Sequence, residues 1–272
     1  MKALISIIAI AGFAGVANAG PRDFIVEAAG VGGDKEAAAP YLEKFLRYIE
    51  AAAGWPPNST SGEFAPEPAD AIKFIESKKP GFGMFDPELW LELRKKHDLV
   101  VIATVEGVRQ SEKMVIVAKD PALKKLDDLK GKKLASTHLQ SPKYLSKVVF
   151  DGKIDVATFF VLQPVTSMIK SVKKVAAGDA DAALLTDGEW NSPTVQGIGK
   201  ELHIVASGKL PPTPVVVFNK VASAKDREAF EKALRKMCED PKGADVCKQL
   251  DIKKFASPDK AAYDEAVRRY EK

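Results

Sequence analysis

The sequence is poor in metal-binding residues and carries no large surplus of charge of either sign. Its 272 residues include two cysteines and three histidines, and the histidines lie far apart, at His97, His138 and His203. Because the two cysteines have no further ligands near them, we expect no metal and no other cofactor. Lys and Arg number 41 against 37 Asp and Glu, a net charge of +4. So small a surplus, scattered along the chain, argues against a nucleic-acid partner.

The sequence also shows no internal repeat, no low-complexity tract and no recognisable catalytic motif. Hydrophobic residues make up 46% of the chain and charged residues 29%, which is typical of a globular protein and excludes collagen-like, disordered and coiled-coil chains. The length is sufficient for about two domains. No Ser-His-Asp or Cys-His motif stands in a recognisable setting, so an enzyme is the least favoured class.

Residues 1–19 have the pattern of a secretory signal peptide. Met1 and Lys2 supply a positive start, residues 3–16 are almost wholly apolar, and Ala17-Asn18-Ala19 has the small residues of a cleavage site. The apolar run is too short to span a membrane, which takes about 20 residues. No cysteine stands at the cleavage point for lipid attachment. We therefore expect cleavage after Ala19 and a soluble protein in the periplasm.

Export changes the meaning of Cys238 and Cys247. In an oxidising compartment, two cysteines so close in sequence are most simply explained by one disulfide. The segment between them contains Asp240-Pro241-Lys242-Gly243, where a helix is expected to end. The alternative, a metal pair, lacks further ligands.

Short apolar strands alternate with helical stretches over most of the sequence. One helix carries Tyr41, Leu42, Phe45, Tyr48 and Ile49 on a single face. The alternation predicts an α/β fold with mainly parallel sheets flanked by helices. The predicted strands are residues 24–26, 59–63, 81–85, 99–105, 114–118, 133–136, 155–162, 180–185, 204–206 and 215–218, and the predicted helices include residues 142–150 and 167–177.

The order of these elements predicts two α/β lobes. Lobe 1 combines residues 20–109 with residues 213–272, and lobe 2, residues 110–212, is inserted between the two parts. The chain then crosses between the lobes near residues 106–111 and again near residues 208–214. Such a pair of crossovers is typical of a hinge with a cleft, and clefts between domains are preferred binding sites for small molecules.

Three phrases resemble one family of binding proteins. Residues 127–135 contain the phrase DLKGK, residues 171–183 read SVKKVAAGDADAA, and residues 214–218 form an apolar strand. These phrases resemble the phosphate, phosphite and phosphonate substrate-binding proteins of ABC transporters, which have the type II periplasmic binding protein fold. The resemblance implies two lobes that close on a small molecule by two hinge crossovers and present it to an inner-membrane transporter.

The sequence departs from this family where the ligand is expected. The family's Ser-Thr-Ser-Gly run at a helix N-terminus, which receives an oxyanion, corresponds here to residues 139–144, and of these only Ser141 matches. Pro142 removes an N–H donor and Tyr144 replaces the glycine. The family's tyrosine before the strand at Val115 is absent, and Glu112 nearby would repel an anion if it faced the cleft. These departures predict a ligand other than a standard phosphonate.

If the fold is right, the ligand contacts come from loops at the carboxyl ends of strands. Phe85 and Trp190 are expected to reach the cleft, whereas Trp90, Phe159 and Phe160 are expected in the core. The glycines at 30–33 are more simply a turn than a nucleotide loop. The candidate ligand-binding residues are Gly30, Ser61, Phe85 and Asp86 from lobe 1, and His138, Gln140, Ser141, Gln163, Thr166, Asp187 and Trp190 from lobe 2.

Three functions remain open from the sequence. The leading hypothesis is a periplasmic solute-binding protein that delivers a small molecule to a membrane transporter. The second is a periplasmic carrier of an apolar, lipid- or sterol-like ligand on the same scaffold, suggested by the aromatic residues of the loops and by the lost oxyanion motif. The third is a sensor module that passes its bound state to a membrane receptor.

Overall fold

Strands and helices alternate along the chain, as the hydrophobic pattern predicts. The computed structural model describes residues 21–28, 35–107 and 111–272. The strands are β1 (Phe24–Glu27), β2 (Gly62–Ala65), β3 (Phe82–Met84), β4 (Leu99–Gly107), β5 (Lys113–Ala118), β6 (Lys133–Ser136), β7 (Val161–Pro164), β8 (Ala182–Thr186), β9 (His203–Lys209), β10 (Pro214–Phe218) and β11 (Ile252–Ala256). The helices are α1 (Lys35–Ala53), α2 (Pro68–Lys78), α3 (Pro87–His97), α4 (Pro142–Tyr144), α5 (Val156–Phe159), α6 (Met168–Ala177), α7 (Asp187–Trp190), α8 (Pro193–Ile198), α9 (Ala224–Met237), α10 (Pro241–Gln249) and α11 (Lys260–Glu271), with a 3₁₀ turn at Leu126–Leu129 and a π turn at Leu145–Val149.

The first sheet has the strand order β11-β4-β10-β3-β1-β2. β2 and β3 are parallel to β1, on which Phe24 pairs with Gly62 on one side and with Phe82 on the other. β10 is antiparallel to both β3 and β4, and β11 is antiparallel to β4. Strands β1 to β4 therefore run in one direction, and the two late strands run in the other. We call this sheet and the helices packed on it lobe 1.

The second sheet has the strand order β7-β6-β8-β5-β9. β7 and β8 are both parallel to β6, whereas β5 is antiparallel to its neighbours β8 and β9. All strands of this sheet except β5 therefore run in the same direction. We call this sheet and its helices lobe 2. The chain passes from the first sheet to the second between β4 and β5 and returns between β9 and β10. The two-lobed α/β fold is thus confirmed.

Each sheet is covered by helices that complete an apolar core. Under α1 and α9, the rings of Phe82 and Phe230 stack with their centroids 4.1 Å apart, beside Phe24. On the opposite face of the first sheet, Trp90 of α3 meets Tyr263 of α11 edge to face at 5.2 Å. This second core continues into lobe 2, because α11 also contacts the π turn.

Two predicted strands are wrong in their limits. Residues 59–61 form a loop because the Glu50 carboxylate accepts hydrogen bonds from the backbone N–H of Thr60 and of Asn58, and β2 begins only at Gly62. Residues 155–162 divide into α5 and β7 because Asp155 caps α5, its side chain accepting from the N–H of Ala157. A polar cap thus overrides the apolar run that predicted a single strand.

The disulfide between Cys238 and Cys247 is confirmed. It joins the end of α9 to α10, with Cα atoms 5.5 Å apart. Within the described residues, no helix is both long enough and apolar enough to span a membrane.

Several predictions fall on residues that the structure does not describe. The signal peptide at residues 1–19 and the candidate Gly30 lie outside the described ranges, as do residues 108–110 of the first crossover. The lobe boundaries, residues 20–109 plus 213–272 and residues 110–212, stay predictions.

Candidate functional site

The candidate site lies where the carboxyl ends of strands from both sheets meet. Glu27 ends β1 and Asp86 follows β3 in lobe 1, whereas His138 follows β6 and Glu189 lies in α7, directly after β8, in lobe 2. A narrow cavity of about 20 Å³ opens between the lobes at this edge. Ligands of open α/β sheets bind outside the carboxyl ends of the strands. The residues that line the cavity are Glu27, Pro68, Asp86, Glu88, Leu89, Glu92 and Gln140.

The lobe 1 wall of this cavity is acidic. Glu27 is buried, with 2% of its surface exposed, and its Oε2 accepts a hydrogen bond from the N–H of Asp86 at 3.1 Å. Asp86 stands at the N-cap of α3 with Pro87 next to it, so the chain turns into the helix here. Glu88 and Glu92 are four residues apart on α3 and therefore share a helix face. Four carboxyl groups thus converge on one small space.

The neighbouring carboxyl groups affect the pKa of Glu88. Burial raises the pKa of Glu88 to about 7, and the charges of Asp86 and Glu92 contribute to this rise. The charge of His138 acts in the opposite direction. Burial disfavours the charged form of a carboxyl group, and a neighbouring carboxylate disfavours it further. Glu88 therefore holds its proton close to neutral pH.

The lobe 2 wall is formed by a histidine and a glutamate that bind each other. His138 Nε2 lies 3.0 Å from Glu189 Oε2, and both side chains are about six-sevenths buried, with 14% and 15% exposed. Glu189 Oε2 also accepts from the N–H of Thr186, whose hydroxyl in turn accepts from the N–H of Glu189. This reciprocal cap fixes the carboxylate at the start of α7.

The pKa values of His138 and Glu189 shift in opposite directions. Burial alone would lower the pKa of His138, but the hydrogen bond and charge of Glu189 outweigh it, with help from Asp86 and Glu88, and the pKa is raised. Burial alone would raise the pKa of Glu189, but the hydrogen bond and charge of His138 and the bonds from Thr186 lower it. The pair is therefore an ion pair at mildly acidic pH.

Tyr144 of α4 is a further buried titratable residue of lobe 2. Its side chain is 3% exposed, and its hydroxyl group has no hydrogen-bond partner among the described residues. Burial, and then the charges of Glu88 and Asp86, raise the pKa of this phenol. The phenol therefore lies close enough to Glu88 and Asp86 for their charges to disfavour its ionisation.

Replacement of Tyr144 with phenylalanine is expected to stabilise the free protein by about 1 kcal/mol. A buried hydroxyl without a partner loses its hydrogen bonds with water and gains none in return. Urea denaturation of Tyr144→Phe and of the wild type measures the difference. Tyr263→Phe is the matched control and is expected to destabilise, because the Tyr263 hydroxyl lies 2.9 Å from Thr104 Oγ1 in a buried hydrogen bond. A loss of stability in Tyr144→Phe would contradict the assignment of an unsatisfied hydroxyl.

Three of the residues expected from the sequence lie at this site. Asp86 and Gln140 line the cavity, and His138 lies close enough to Asp86 and Glu88 for their charges to raise its pKa. All three follow a strand directly or within a few residues, which is the signal that selected them.

Phe85 does not reach the cleft. Its side chain is fully buried, and its ring packs edge to face on Phe218 with centroids 6.3 Å apart. Successive side chains point to opposite faces at a strand end, so Phe85 enters the core and Asp86 reaches the cavity. Trp90 and Phe160 are buried as predicted, and Phe159 is half-buried.

Ser61 lies at the wrong end of its strand for the cleft. It precedes β2, and its hydroxyl donates to Asp23 Oδ1 at 2.7 Å, at the amino ends of β1 and β2. There it borders a groove of about 470 Å³ between α1 and β2, whose lining also includes Lys35, Arg47 and Glu63. The late start of β2 is the reason for this difference.

The other candidates of lobe 2 are not among the residues that line the cavity. Ser141 caps α4 by accepting from the N–H of Tyr144, and Thr166 accepts from Lys170 Nζ at 2.7 Å. Trp190 packs on the core between the second sheet and α8. The remaining two are Gln163, on the edge strand β7, and Asp187, whose Oδ1 accepts from the N–H of Gly188.

Sequence reasoning missed Glu27, Glu88, Glu92, Tyr144 and Glu189. The spacing of acidic residues in the DPELWLE phrase at 86–92 places Glu88 and Glu92 on one helix face, and this signal was available. The pairing of Glu189 with His138 had no such signal, since 51 positions separate them. Within the described ranges, no group of three or more His, Cys, Asp or Glu residues has a geometry suited to a metal ion.

Solved structures with the same fold were found by comparison. A Xanthomonas citri protein bound to ATP superposes with a TM-score of 0.73 at 14% identity, covering 92% of this chain and 97% of that one. The binding protein component of an ABC phosphonate transporter from Pseudomonas aeruginosa gives 0.67 at 17% identity, covering 93% and 86%. A Prochlorococcus marinus protein in complex with methylphosphonate gives 0.65 at 13% identity, covering 92% and 99%. The fold is therefore the two-lobed periplasmic binding protein fold.

The family is shown by the sequence match. No curated protein matched the chain. The family described as the ABC transporter, phosphonate, periplasmic substrate-binding protein matches residues 34–263, which is most of the chain and includes all strands from β2 to β11. The chain belongs to the phosphonate-binding family of periplasmic substrate-binding proteins of ABC transporters.

Proposed function

We propose that this chain captures a small molecule in the cleft between its lobes by hinge closure and delivers it to an ABC transporter in the inner membrane. In this proposal residues 1–19 are an export signal, and residues 110–212 move as one lobe against residues 20–109 and 213–272. The observation that carries the proposal is the cavity at the facing carboxyl ends of the two sheets, to which both lobes contribute polar side chains.

The cleft does not favour a standard phosphonate as the ligand. Four of the seven residues that line the cavity, Glu27, Asp86, Glu88 and Glu92, carry carboxyl groups, and none of the seven is Lys or Arg. Among the described residues that line the cavity, no Lys or Arg side chain is therefore available to a phosphonate dianion.

The apolar-carrier hypothesis loses its support. It rested on aromatic side chains in the loops, but Phe85, Trp90 and Phe160 are buried in the cores of the lobes, and Trp190 packs against the second sheet. The sensor hypothesis has no feature of its own in the structure, so transport remains the function we propose.

Fluorescence energy transfer between the lobes tests the proposal. The native cysteines are joined in a disulfide, so cysteines introduced at the exposed positions Lys78 of α2 and Lys173 of α6 can be labelled selectively. After removal of any copurified molecule by unfolding and refolding, addition of a small-molecule extract of the host is expected to raise the transfer efficiency.

A second labelled pair serves as the control. Labels at Lys78 and at the exposed Glu228 of α9 lie in the same lobe, and their transfer efficiency is expected to stay constant. An extract that changes neither pair, together with native mass spectra that show no bound molecule, would contradict capture in the cleft.

A further inference from the structure

We propose that helix α11 is a brace that holds the two lobes together and sets the balance between their open and closed arrangements before any ligand is bound. The brace consists of Arg269 and Tyr270 of α11 and of Lys143, Val148 and Asp151 of lobe 2. The inference rests on the proposed function, because it concerns the hinge movement by which the ligand is captured. It places a control of that movement outside the cleft and outside the two crossovers.

Helix α11 is fixed to lobe 1 near both of its ends. Near its start, the Tyr263 ring meets Trp90 of α3 edge to face, and the Tyr263 hydroxyl lies 2.9 Å from Thr104 Oγ1 of β4 in a buried hydrogen bond. At its end, the Glu271 carboxylate forms an ion pair with Arg94 of α3. These contacts join α11 to a strand and a helix of lobe 1, so we expect it to move with the first sheet.

The same helix binds lobe 2 through two residues near its end. Arg269 Nη1 donates to the carbonyl oxygen of Val148 at 3.4 Å, and its Nε lies 3.4 Å from Asp151 Oδ1. The carbonyl groups at the end of a helical turn have no partner within it, and an arginine can donate to them. Lys143 Nζ lies 4.0 Å from the centroid of the Tyr270 ring, within the range of a cation–π interaction.

The π turn on the lobe 2 side of the brace is itself held in place. The Ser146 hydroxyl donates to the Pro142 carbonyl at 2.7 Å and accepts from the N–H of Val156 at 2.8 Å, which ties the turn to α5. At Gly208 of β9, an added Cβ would lie 2.4 Å from the carbonyl oxygen of Val149, so the turn also touches the strand that leads into the second crossover. A rotation of lobe 2 about the crossovers therefore moves the π turn relative to α11.

The contacts of the brace belong to a closed arrangement of the lobes. The cavity between the lobes has a volume of about 20 Å³, which holds about one water-sized group. Gln140, which lines this cavity, precedes Lys143 by three residues, in the segment that leads into α4. An opening that admits a larger molecule moves this segment away from lobe 1 and thereby changes the contact between Lys143 and Tyr270.

The strength of these contacts suits an equilibrium that a ligand can shift. A cation–π contact at an exposed site changes an equilibrium constant about 2–5-fold. The ion pair of Arg269 and Asp151, whose side chains are 24% and 52% exposed, contributes less. Together the contacts are expected to favour the closed arrangement about 3–10-fold, which the differential affinity of a ligand can exceed.

Single-molecule energy transfer in the ligand-free protein tests the brace. In the protein labelled at Lys78 and Lys173, we expect Tyr270→Leu to lower the ratio of high-transfer to low-transfer molecules about 3–10-fold, and Arg269→Gln about 2-fold. Tyr270→Phe keeps the aromatic ring and is expected to keep the wild-type ratio. The amount of host extract needed for half-maximal closure is expected to rise by the same factor as the ratio falls.

A double substitution shows whether the pair itself is responsible. Lys143→Met combined with Tyr270→Leu is expected to give the same ratio as Tyr270→Leu alone, because either change removes the same contact. Lys260→Gln removes a positive charge from the start of α11, where Lys260 pairs with Asp264 of the same helix. Tyr41→Leu removes an exposed ring from α1. Both control variants are expected to keep the wild-type ratio.

The outcomes separate the brace from the proposed function. A ratio for Tyr270→Leu that equals the ratio for Tyr41→Leu, or exceeds that of the wild type, would overturn the brace. A ligand-free wild type with low-transfer molecules alone would overturn it as well. Each of these results leaves capture in the cleft intact, since the host extract can still close the lobes. Capture itself fails if the extract changes neither labelled pair and native mass spectra show no bound molecule.

Discussion

Replacing Glu189 with glutamine is expected to lower the free energy of unfolding by about 3 kcal/mol near pH 6. The glutamine has nearly the shape of the glutamate and can still accept the bond from the Thr186 N–H. It no longer compensates the charge of His138, whose side chain is 14% exposed. Removing one partner of a buried ion pair leaves the other charge without compensation, and this cost exceeds the value of an exposed pair.

The expected loss depends on pH in a defined way. Because the pKa of His138 is raised from 6.5, its contribution to stability is complete below pH 6.5 and is lost as the pH rises through the folded-state value. Because the pKa of Glu189 is lowered from 4.5, its contribution is complete above pH 4.5 and is lost as the pH falls through its folded-state value. The difference between wild type and Glu189→Gln is therefore largest between pH 4.5 and 6.5.

Urea denaturation at a series of pH values measures this difference. The control is Glu231→Gln, which breaks an exposed pair with Arg235 one helical turn away and is expected to cost less than about 0.5 kcal/mol. A cost for Glu189→Gln at pH 6 no greater than that of the control would show that the pair does not hold the lobe 2 wall.

Replacing Glu88 with glutamine is expected to have the opposite sign and to stabilise the ligand-free protein by about 2 kcal/mol at pH 8. The pKa of Glu88 rises from 4.5 to about 7, so the folded protein holds this proton more tightly than the unfolded chain does. Each pKa unit corresponds to about 1.4 kcal/mol, and the partial exposure of the side chain reduces the sum.

The pH profile identifies the cause. The favourable contribution of the protonated Glu88 is complete below pH 4.5 and is lost as the pH rises through about 7. Glutamine resembles the protonated form at every pH, so the two proteins are expected to agree below pH 4.5 and to diverge above it. The charged neighbours that set this behaviour, besides burial, are Asp86, His138 and Glu92.

A charge-matched control isolates the effect of burial at Glu88. Glu88→Gln is expected to be more stable than the wild type above pH 4.5 because it removes a carboxyl group that is costly to ionise in the folded protein. Glu228→Gln is the matched control for the loss of one negative charge. If the free energy of unfolding of Glu88→Gln changes with pH in the same way as that of the wild type from pH 4 to pH 9, the pKa of Glu88 is not raised in the folded protein.

Much of the fold was predictable from the sequence, because local hydrophobic patterns determine where most strands and helices form. Apolar runs such as Val215–Phe218 become buried strands in any context, and helix-face periodicity locates α1 and α6. The disulfide was predicted from two cysteines close in sequence in a chain expected to be exported. The prediction of one strand at residues 155–162 was wrong because the helix cap at Asp155 competes with the apolar run, and both sequence signals are short.

The site was predictable only in part. His138 and Asp86 were selected because they follow strands. Phe85, one residue before Asp86, was selected by the same rule, and it is buried because the side-chain direction alternates along a strand. Ser61 was misplaced by a shift in the start of β2, a shift that depends on a hydrogen bond from the distant Glu50.

The sequence by itself determined the α/β class, the alternation of strands and helices, the family resemblance and the disulfide. Each of these depends on residues that are close in sequence or on a few short motifs. The tertiary structure alone decided the charge of the cavity. Glu27, Glu88 and Tyr144 are far apart along the chain, and their convergence depends on how the strands are ordered in each sheet and on how the lobes face each other. Electrostatic interaction depends on distance in space, so a chain whose overall charge is nearly balanced has an acidic cavity.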